Sequence, residues 1–557
     1  MRNKKELSIV LVFLPLCLSC STSIRRDINV IPKPVEVIAK DGEMQLRDPI
    51  SIFYQPDSQE IQKTAGELGE SIKEVTGLAV SLVPLPRVSK SGKGFYLALD
   101  KGIQQNEGYQ LEIFPEAVKL AAREDAGLFY GVQTLKQLLF HGKPPQVGAS
   151  CALPCLKIVD YPRFRWRGMH LDVSRHFYPK EFIKQYIDVL AMHKMNVFHW
   201  HLTDDHGWRI EIKHYPRLTE FGAWREPRDA DSWLYDKNRS MDIKKRTYGG
   251  FYTQQDVREV IEYARQRHVT ILPEIEMPGH AMAALDTYPE LSCTGKPYVP
   301  PDPPITEFNE FTAPFCAGNE RTFVFLENIL SEVMELFPNP YIHVGGDEAK
   351  KTFWQACPKC QARMRAEGLK DVDQLQSYFM KRIGKFVSSK NRRMIGWDEI
   401  LQGGLAPEAT VMSWRGEEGG IEAARQGHDV VMSPSEVTYF GIRHYLDPAK
   451  NGESALASKL KQVYNYNPEP SGLTSDQARH VMGAQGCIWT EEVHTSKEAM
   501  QTLLPSFCPL AEVVWTGPSQ KDWEDFDRRL KQHYLYLDFC RLDYFVAATG
   551  GLPGSGN

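Results

Sequence analysis

Several short stretches carry residue types suited to acid–base chemistry on a polar organic substrate. In Tyr341-Ile342-His343-Val344-Gly345-Gly346-Asp347-Glu348-Ala349, two carboxylates follow an apolar run and a pair of glycines. That is the pattern of a buried strand whose end delivers side chains to a surface. His199 to Asp205, Glu274 to His280, Gly396-Trp397-Asp398-Glu399 and Trp489-Thr490-Glu491 repeat the theme, with carboxylates and imidazoles at the ends of apolar or aromatic runs. An isolated Asp-Glu pair reads as a solvated turn; several such stretches in order read as one site.

A repeating architecture is needed to bring strand ends together. From Arg163 onward the chain alternates apolar strands, polar strand ends and helices. Eight strands are seeded at Met169-His170-Leu171, Asn196-Val197-Phe198, Thr270-Ile271-Leu272, Tyr341-Ile342-His343, Arg393-Met394-Ile395, Thr410-Val411-Met412, Asp429-Val430-Val431 and Val481-Met482-Gly483. Eight βα units predict an α/β fold, a closed (β/α)8 TIM barrel, whose chemistry sits at the C-terminal ends of the strands. Phe182, Tyr186, Val189, Leu190 and His193 share one face of the first helix, and Trp523, Phe526, Leu530 and Tyr534 mark a last one.

The barrel rim then collects Asp172 and Arg175, His201, Asp204 and Asp205, Glu274, Glu276 and His280, Asp347 and Glu348. The later strands add Trp397 and Asp398, Trp414 and Arg415, Tyr439, and Trp489 with Glu491. Directed polar groups alternating with flat aromatics suit a sugar, whose C–H faces stack on indole while its hydroxyls take hydrogen bonds. Any one of these tryptophans would be read as core; three at nearby strand ends are harder to assign that way.

Ahead of the barrel, residues 24–160 read as a smaller α+β domain. Strands are expected at Ile50 to Tyr54, Leu78 to Val83 and Phe95 to Leu99, with a hairpin from Tyr109 to Ile113 and Val118 to Ala122. Leu128, Val132, Leu135 and Leu139 share a helical face, and Pro154 to Pro162 reads as a joint. The barrel is assigned to 161–548 and a disordered tail to 549–557. The first residues combine Arg2, Lys4 and Lys5 with an apolar run from Ile9 to Leu18 and then Ser19-Cys20. This describes a leader over 1–19, too short for a comfortable membrane span. It resembles a bacterial lipoprotein signal, which implies lipidation at Cys20, and with no aspartate after Cys20, an outer-membrane destination on an undetermined face.

A chain of 557 residues with 25% charged residues and a net charge of −5 has no basic field for nucleic acid. Membrane contact is expected only through the lipid anchor, and nothing in the pattern specifies an oligomeric state. With Cys17 in the leader and Cys20 lipidated, nine of eleven cysteines remain, too few for a disulfide-dependent fold of this size. Cys293 and Cys316 flank a Pro-rich loop and could pair. Cys357-Pro358-Lys359-Cys360 has metal-knuckle spacing, but without a second pair so spaced a local disulfide or free thiols is favoured over zinc.

The motifs at 199–205, 274–280, 343–349, 396–399 and 489–491 together resemble the signatures of family 20 glycoside hydrolases, the β-N-acetylhexosaminidases, and the match runs from about Pro32 to Tyr544. The resemblance implies an exo-acting, retaining enzyme that removes terminal β-linked N-acetylglucosamine or N-acetylgalactosamine from an oligosaccharide or glycoconjugate. Adjacent side chains diverge on leaving a strand, so Asp347 and Glu348 do not face each other across a sugar as paired carboxylates usually do. In the family, the 2-acetamido oxygen of the substrate attacks C1 instead. By resemblance, Glu348 is the general acid and base, expected to have a raised pKa, and Asp347 holds the acetamido N–H. Asp204 and His280 form the network behind the acid. Tyr439 aligns the acetamido oxygen, Trp397, Trp414 and Trp489 wall the pocket, and Arg175 and Glu491 bind the ring hydroxyls. No metal or organic cofactor is implied.

One position departs from the family pattern: Gly441 stands where an Asp usually follows the tyrosine, with Arg443 close by. This suggests tolerance of a 6-sulfated N-acetylglucosamine, against the alternative that Asp447 supplies the missing acceptor. A catalytically inactive glycan-binding lipoprotein is a rival reading, but mere binding does not require an acid. The Asp-x-x-Asp-x-Asp-x-Glu run of the other substrate-assisted family is not found.

Overall fold

The computed structural model describes residues 28–56, 58–85, 93–140, 151–227, 241–297, 313–441 and 452–545. The leader, Cys20, Arg443, Asp447 and the expected tail lie outside them.

The first unit is a seven-stranded mixed sheet carrying the helices Gln59–Thr76 and Asp125–Leu139. Leu128, Val132, Leu135 and Leu139 are all buried, as their spacing predicts. The expected strands and hairpin are present. The segment expected to be a joint is instead the strand Ala152–Asp160, held between Glu36–Gln45 on one side and Tyr109–Ile113 on the other. Pro154 is tolerated because the register shifts there, where the partner strand carries a bulge between Ala39 and Glu43.

Eight parallel strands then close on themselves: Trp166–Asp172, Val197–His201, Thr270–Met277, Tyr341–Gly345, Arg393–Trp397, Thr410–Ser413, Val430–Met432 and Val481–Ile488. The last strand pairs with both the seventh and the first, so no edge is left open. Trp166, Val197, Leu272, Ile395, Met412 and Val431 fill the interior, making it a packed core. Register sets the rim, placing Asp172 beside His201, His201 beside Glu274, and Glu274 beside His343.

The two units meet through buried polar contacts. Lys194 Nζ lies 2.8 Å from Asp160 Oδ2 and 3.1 Å from the Tyr109 hydroxyl, and Trp515 Nε1 donates to Asp160 Oδ1 at 2.9 Å. Arg167, on the first barrel strand, makes a two-point contact with Glu107 at 2.8 and 3.0 Å. Among the described residues no helix is long and apolar enough to cross a membrane.

Candidate active site

The fourth barrel strand ends in two residues that only glycine adopts comfortably, Gly345 at φ 65° and Gly346 at φ 101°. A Cβ at Gly345 would overlap the Glu276 carboxylate, so the turn that delivers Asp347 and Glu348 needs a bare backbone. Gln376 Nε2 fastens this turn by donating to Gly346 O at 2.7 Å. Glu348 and His280 both hold left-handed backbones, at φ 42° and 46°, a conformation that concentrates at functional sites. A Cβ on Gly279 would fall 2.7 Å from Asp347 O, which shows how closely the His280 and Asp347 loops pack.

His280 is the centre of the charge arrangement. Its Nδ1 lies 3.2 Å from Asp204 Oδ1 and 3.1 Å from Asp205 Oδ2, while Nε2 faces Asp347 Oδ2 at 3.5 Å and Glu348 Oε2 at 3.4 Å. Burial opposes a charge on the ring, but these carboxylates outweigh it and hold the pKa of His280 well above the usual range. Asp204 also pairs with Arg175 at 2.9 Å and with His201 at 2.9 Å, and its pKa is well depressed.

The two central carboxyls divide in the opposite sense to the sequence expectation. Burial pushes Glu348 up, yet the hydrogen bond and charge of His280 override it and leave its pKa lowered. Asp347 is instead raised to about 7, mainly by burial and by repulsion from Glu274 and Glu348. Glu348 is partly exposed beside a cation, whereas Asp347 is the more deeply enclosed of the two, and this reverses the expected order.

Both groups line a pocket of about 150 Å³ that also takes in Arg175, His280 and Glu491. Its apolar walls are Trp397, Trp414, Tyr439 and Trp489. Trp414 and Tyr439 have nearly parallel ring planes, 13° apart, with centroids separated by 6.2 Å, and Trp489 lies under the Arg175 guanidinium at 5.0 Å. Asp347 Oδ1 is buried without a hydrogen bond, as is Arg175 Nε. Such a pocket presents an acceptor and a donor to a ligand that also has flat apolar faces. Nine of the ten sugar-site residues expected from the sequence line it, and Asp204 stands behind Arg175 and His280.

Comparison with known proteins places this arrangement. The model of the glycosyl hydrolase family 20 catalytic domain matches residues 164–518, and that of the family's domain 2 matches residues 27–161. The chain belongs to glycosyl hydrolase family 20. It is 40% identical over 533 residues to a beta-hexosaminidase of Porphyromonas gingivalis, covering 94% of this chain and 65% of that protein, so it spans about two thirds of that relative's length. The exo beta-N-acetylglucosaminidase of Vibrio harveyi, solved with N-acetylglucosamine, superimposes with a TM-score of 0.79 at 30% identity, covering 95% of this chain and 80% of the other. A beta-N-acetylhexosaminidase of Bacteroides fragilis gives a TM-score of 0.75 at 28% identity, with coverages of 94% and 99%.

Within this family 20 site, several residues act in ways their spacing did not reveal. Glu274, expected only as a rim carboxylate, accepts from Trp397 Nε1 at 2.8 Å and meets His343 at 2.7 Å, His199 at 3.1 Å and His201. It therefore fixes one indole wall and three imidazoles. Burial would neutralise His201, but Glu274 and Asp204 on either side raise its pKa to about 10. Glu399 accepts from Trp414 Nε1 at 3.0 Å and so orients a second wall. Asp172 accepts from the backbone N–H groups of Ser174, Arg175 and Thr490, tying the Arg175 loop to the Trp489 loop.

Proposed function

We propose that this protein is an exo-acting β-N-acetylhexosaminidase that removes terminal β-linked N-acetylglucosamine or N-acetylgalactosamine with retention, the substrate's acetamido oxygen acting as nucleophile. The observation that carries this reading is Asp347: a buried carboxylate with a free acceptor oxygen, enclosed by aromatic walls and adjacent to a second carboxyl on the same imidazolium. An acetamido N–H supplies the missing donor, and its methyl group fits against indole. A carboxylate there stabilises the positive charge that builds up on the amide as its oxygen closes on C1. Alignment by Tyr439 makes the attack intramolecular, where effective molarities reach about 10⁵ to 10⁸ M. The pocket volume of about 150 Å³ lies below the roughly 300 to 1,000 Å³ of drug-sized sites, which favours one terminal ring over a chain threaded through.

Proton placement must change when substrate binds. Without ligand, His280 favours an ionised Glu348 while Asp347 holds a proton near neutrality. An N–H donor favours ionised Asp347, and covering Glu348 with the aglycone raises its pKa, so the proton passes to the group that protonates the leaving oxygen.

The finer specificity includes 6-sulfated N-acetylglucosamine, supported by the absence of a carboxylate at Gly441. One panel tests both readings: plain and 6-sulfated β-N-acetylglucosaminides, a galacto analogue and a β-glucoside, with the product anomer followed by NMR. Retained configuration and a strict need for the acetamido group are expected. Inversion, or equal cleavage of the glucoside, removes the mechanism, and an uncleaved sulfated substrate removes only the sulfate reading. Lipidation at Cys20 rests on the leader pattern from Arg2 to Cys20. A Cys20→Ala variant is expected to leave the membrane fraction, and continued membrane retention would oppose the anchor.

A further inference from the structure

Four cysteines from three separate segments converge beside the active-site loops. Cys316 Sγ lies 3.8 Å from Cys357 Sγ and 3.7 Å from Cys360 Sγ, and Cys293 Sγ lies 3.9 Å from Cys360 Sγ. All four sulfurs fall within 4.8 Å of one another. Three of the residues are buried and Cys293 is half-buried. We propose that Cys293, Cys316, Cys357 and Cys360 form a closed tetrathiolate site for a structural zinc ion.

The distances distinguish this from disulfide pairing. A disulfide brings its sulfurs to about 2.05 Å and gives each sulfur one partner. Here Cys316 and Cys360 each approach two others, at nearly twice that separation. Four thiolates around zinc at about 2.3 Å define a tetrahedron with edges of ~3.8 Å, which matches the three separations. Sulfur-only tetrahedral sets select zinc or iron, and a site with no open position is structural.

The backbone supports the same assignment. Cys357 and Cys360, with two residues between them, stand at the start of the helix Pro358–Glu367, whose N-terminus favours the negative charge of thiolates. The Gly318 N–H donates to Cys316, the kind of outer contact that orients a metal-bound sulfur. A Cβ at Gly318 would overlap the backbone of Lys359, so these two ligand segments are packed together without room for a side chain. The missing second knuckle is thus assembled in space, from residues that have no telling spacing in sequence.

The site would clamp the loop after the third barrel strand to the loop after the fourth. Phe315 N donates to Pro278 O at 2.9 Å and Trp354 Nε1 to Phe315 O at 2.9 Å, linking the cluster to the His280 and Glu348 turns. Zinc therefore has a positioning role, and the inference stands independently of the reaction assigned to the pocket.

The test uses the full chain, purified without chelators from zinc-supplemented cells. Elemental analysis is expected to find stoichiometric zinc, and cobalt(II) substitution to give thiolate-to-metal charge transfer with tetrahedral d–d bands. Cys316→Ser and Cys360→Ser are expected to lose the ion, whereas Cys540→Ser, just past the C-terminal helix Trp523–Phe539, keeps it. Metal-free wild-type protein, stoichiometric iron, or peptide mapping that finds two disulfides among these four residues would each overturn the assignment. Because wild-type metal content and the cobalt spectrum need no variant, misfolding of a serine variant does not blunt the test.

Discussion

Glu348→Gln is expected to lower turnover of an N-acetylglucosaminide with a poor leaving group by about 10² to 10⁴-fold, the usual contribution of a positioned acid. With an activated aryl leaving group the loss should be much smaller in the first step, since little proton transfer is needed there. The isosteric amide keeps the side chain against His280 but removes both the proton and the charge. Glu348 also repels Asp347, so the variant should carry Asp347 with a lower pKa than the wild type. Comparing the two leaving groups under single-turnover conditions checks the role. Equal losses for both would show that Glu348 positions the pocket and does not act as the acid.

Asp347→Asn is expected to separate activity from stability. Loss of the carboxylate that holds the acetamido group should cost about 10² to 10³ in kcat, the range seen when one stabilising group is removed from a charge-developing site. The stability effect has the opposite sign. An unfolded aspartate titrates near 3.9, while folding raises Asp347 to about 7. The folded state thus binds the extra proton between these values, and its stability falls as pH rises through about 7. Above that, the buried charge costs on the order of a few kcal/mol, which asparagine avoids. The variant should therefore be more stable than wild type at pH 8 and gain little at pH 4, as urea unfolding at both values would reveal. Wild-type affinity for N-acetylglucosamine should weaken as pH falls below about 7, and the asparagine variant should lose that dependence. A variant no more stable at pH 8 would show that Asp347 is not held protonated.

The barrel was legible because each of its eight strands holds a short, mainly apolar run and most are followed by polar or aromatic residues. The paired glycines at 345 and 346 marked where carboxylates emerge. Ala152–Asp160 was obscured by Pro154 within it and Pro162 just beyond it, since such a strand and a linker look alike until the partner strands are known. Its neighbour Glu36–Gln45 is largely exposed, so it carries little apolar signal. Within the site, residue positions could be read but partners could not. Glu274 is the hub of the pocket floor only because three other barrel strands bring Trp397, His343, His199 and His201 to it. The pKa of Glu348 departs from expectation for the same reason: a raised value follows from a role in the bound state, whereas in the free protein His280 lowers it.

The contacts between sheet and barrel bear on how this enzyme can be shortened. Arg167 and Lys194 are barrel residues, but Glu107, Tyr109 and Asp160 belong to the preceding sheet. Cutting the chain ahead of the barrel would take away the counter-ions of both cations together with the surface that buries them, and would open the apolar groups packed around them, such as Trp515, to water. The preceding sheet unit is therefore a base plate for the barrel, and the smallest stable unit of this chain begins well upstream of its first barrel strand.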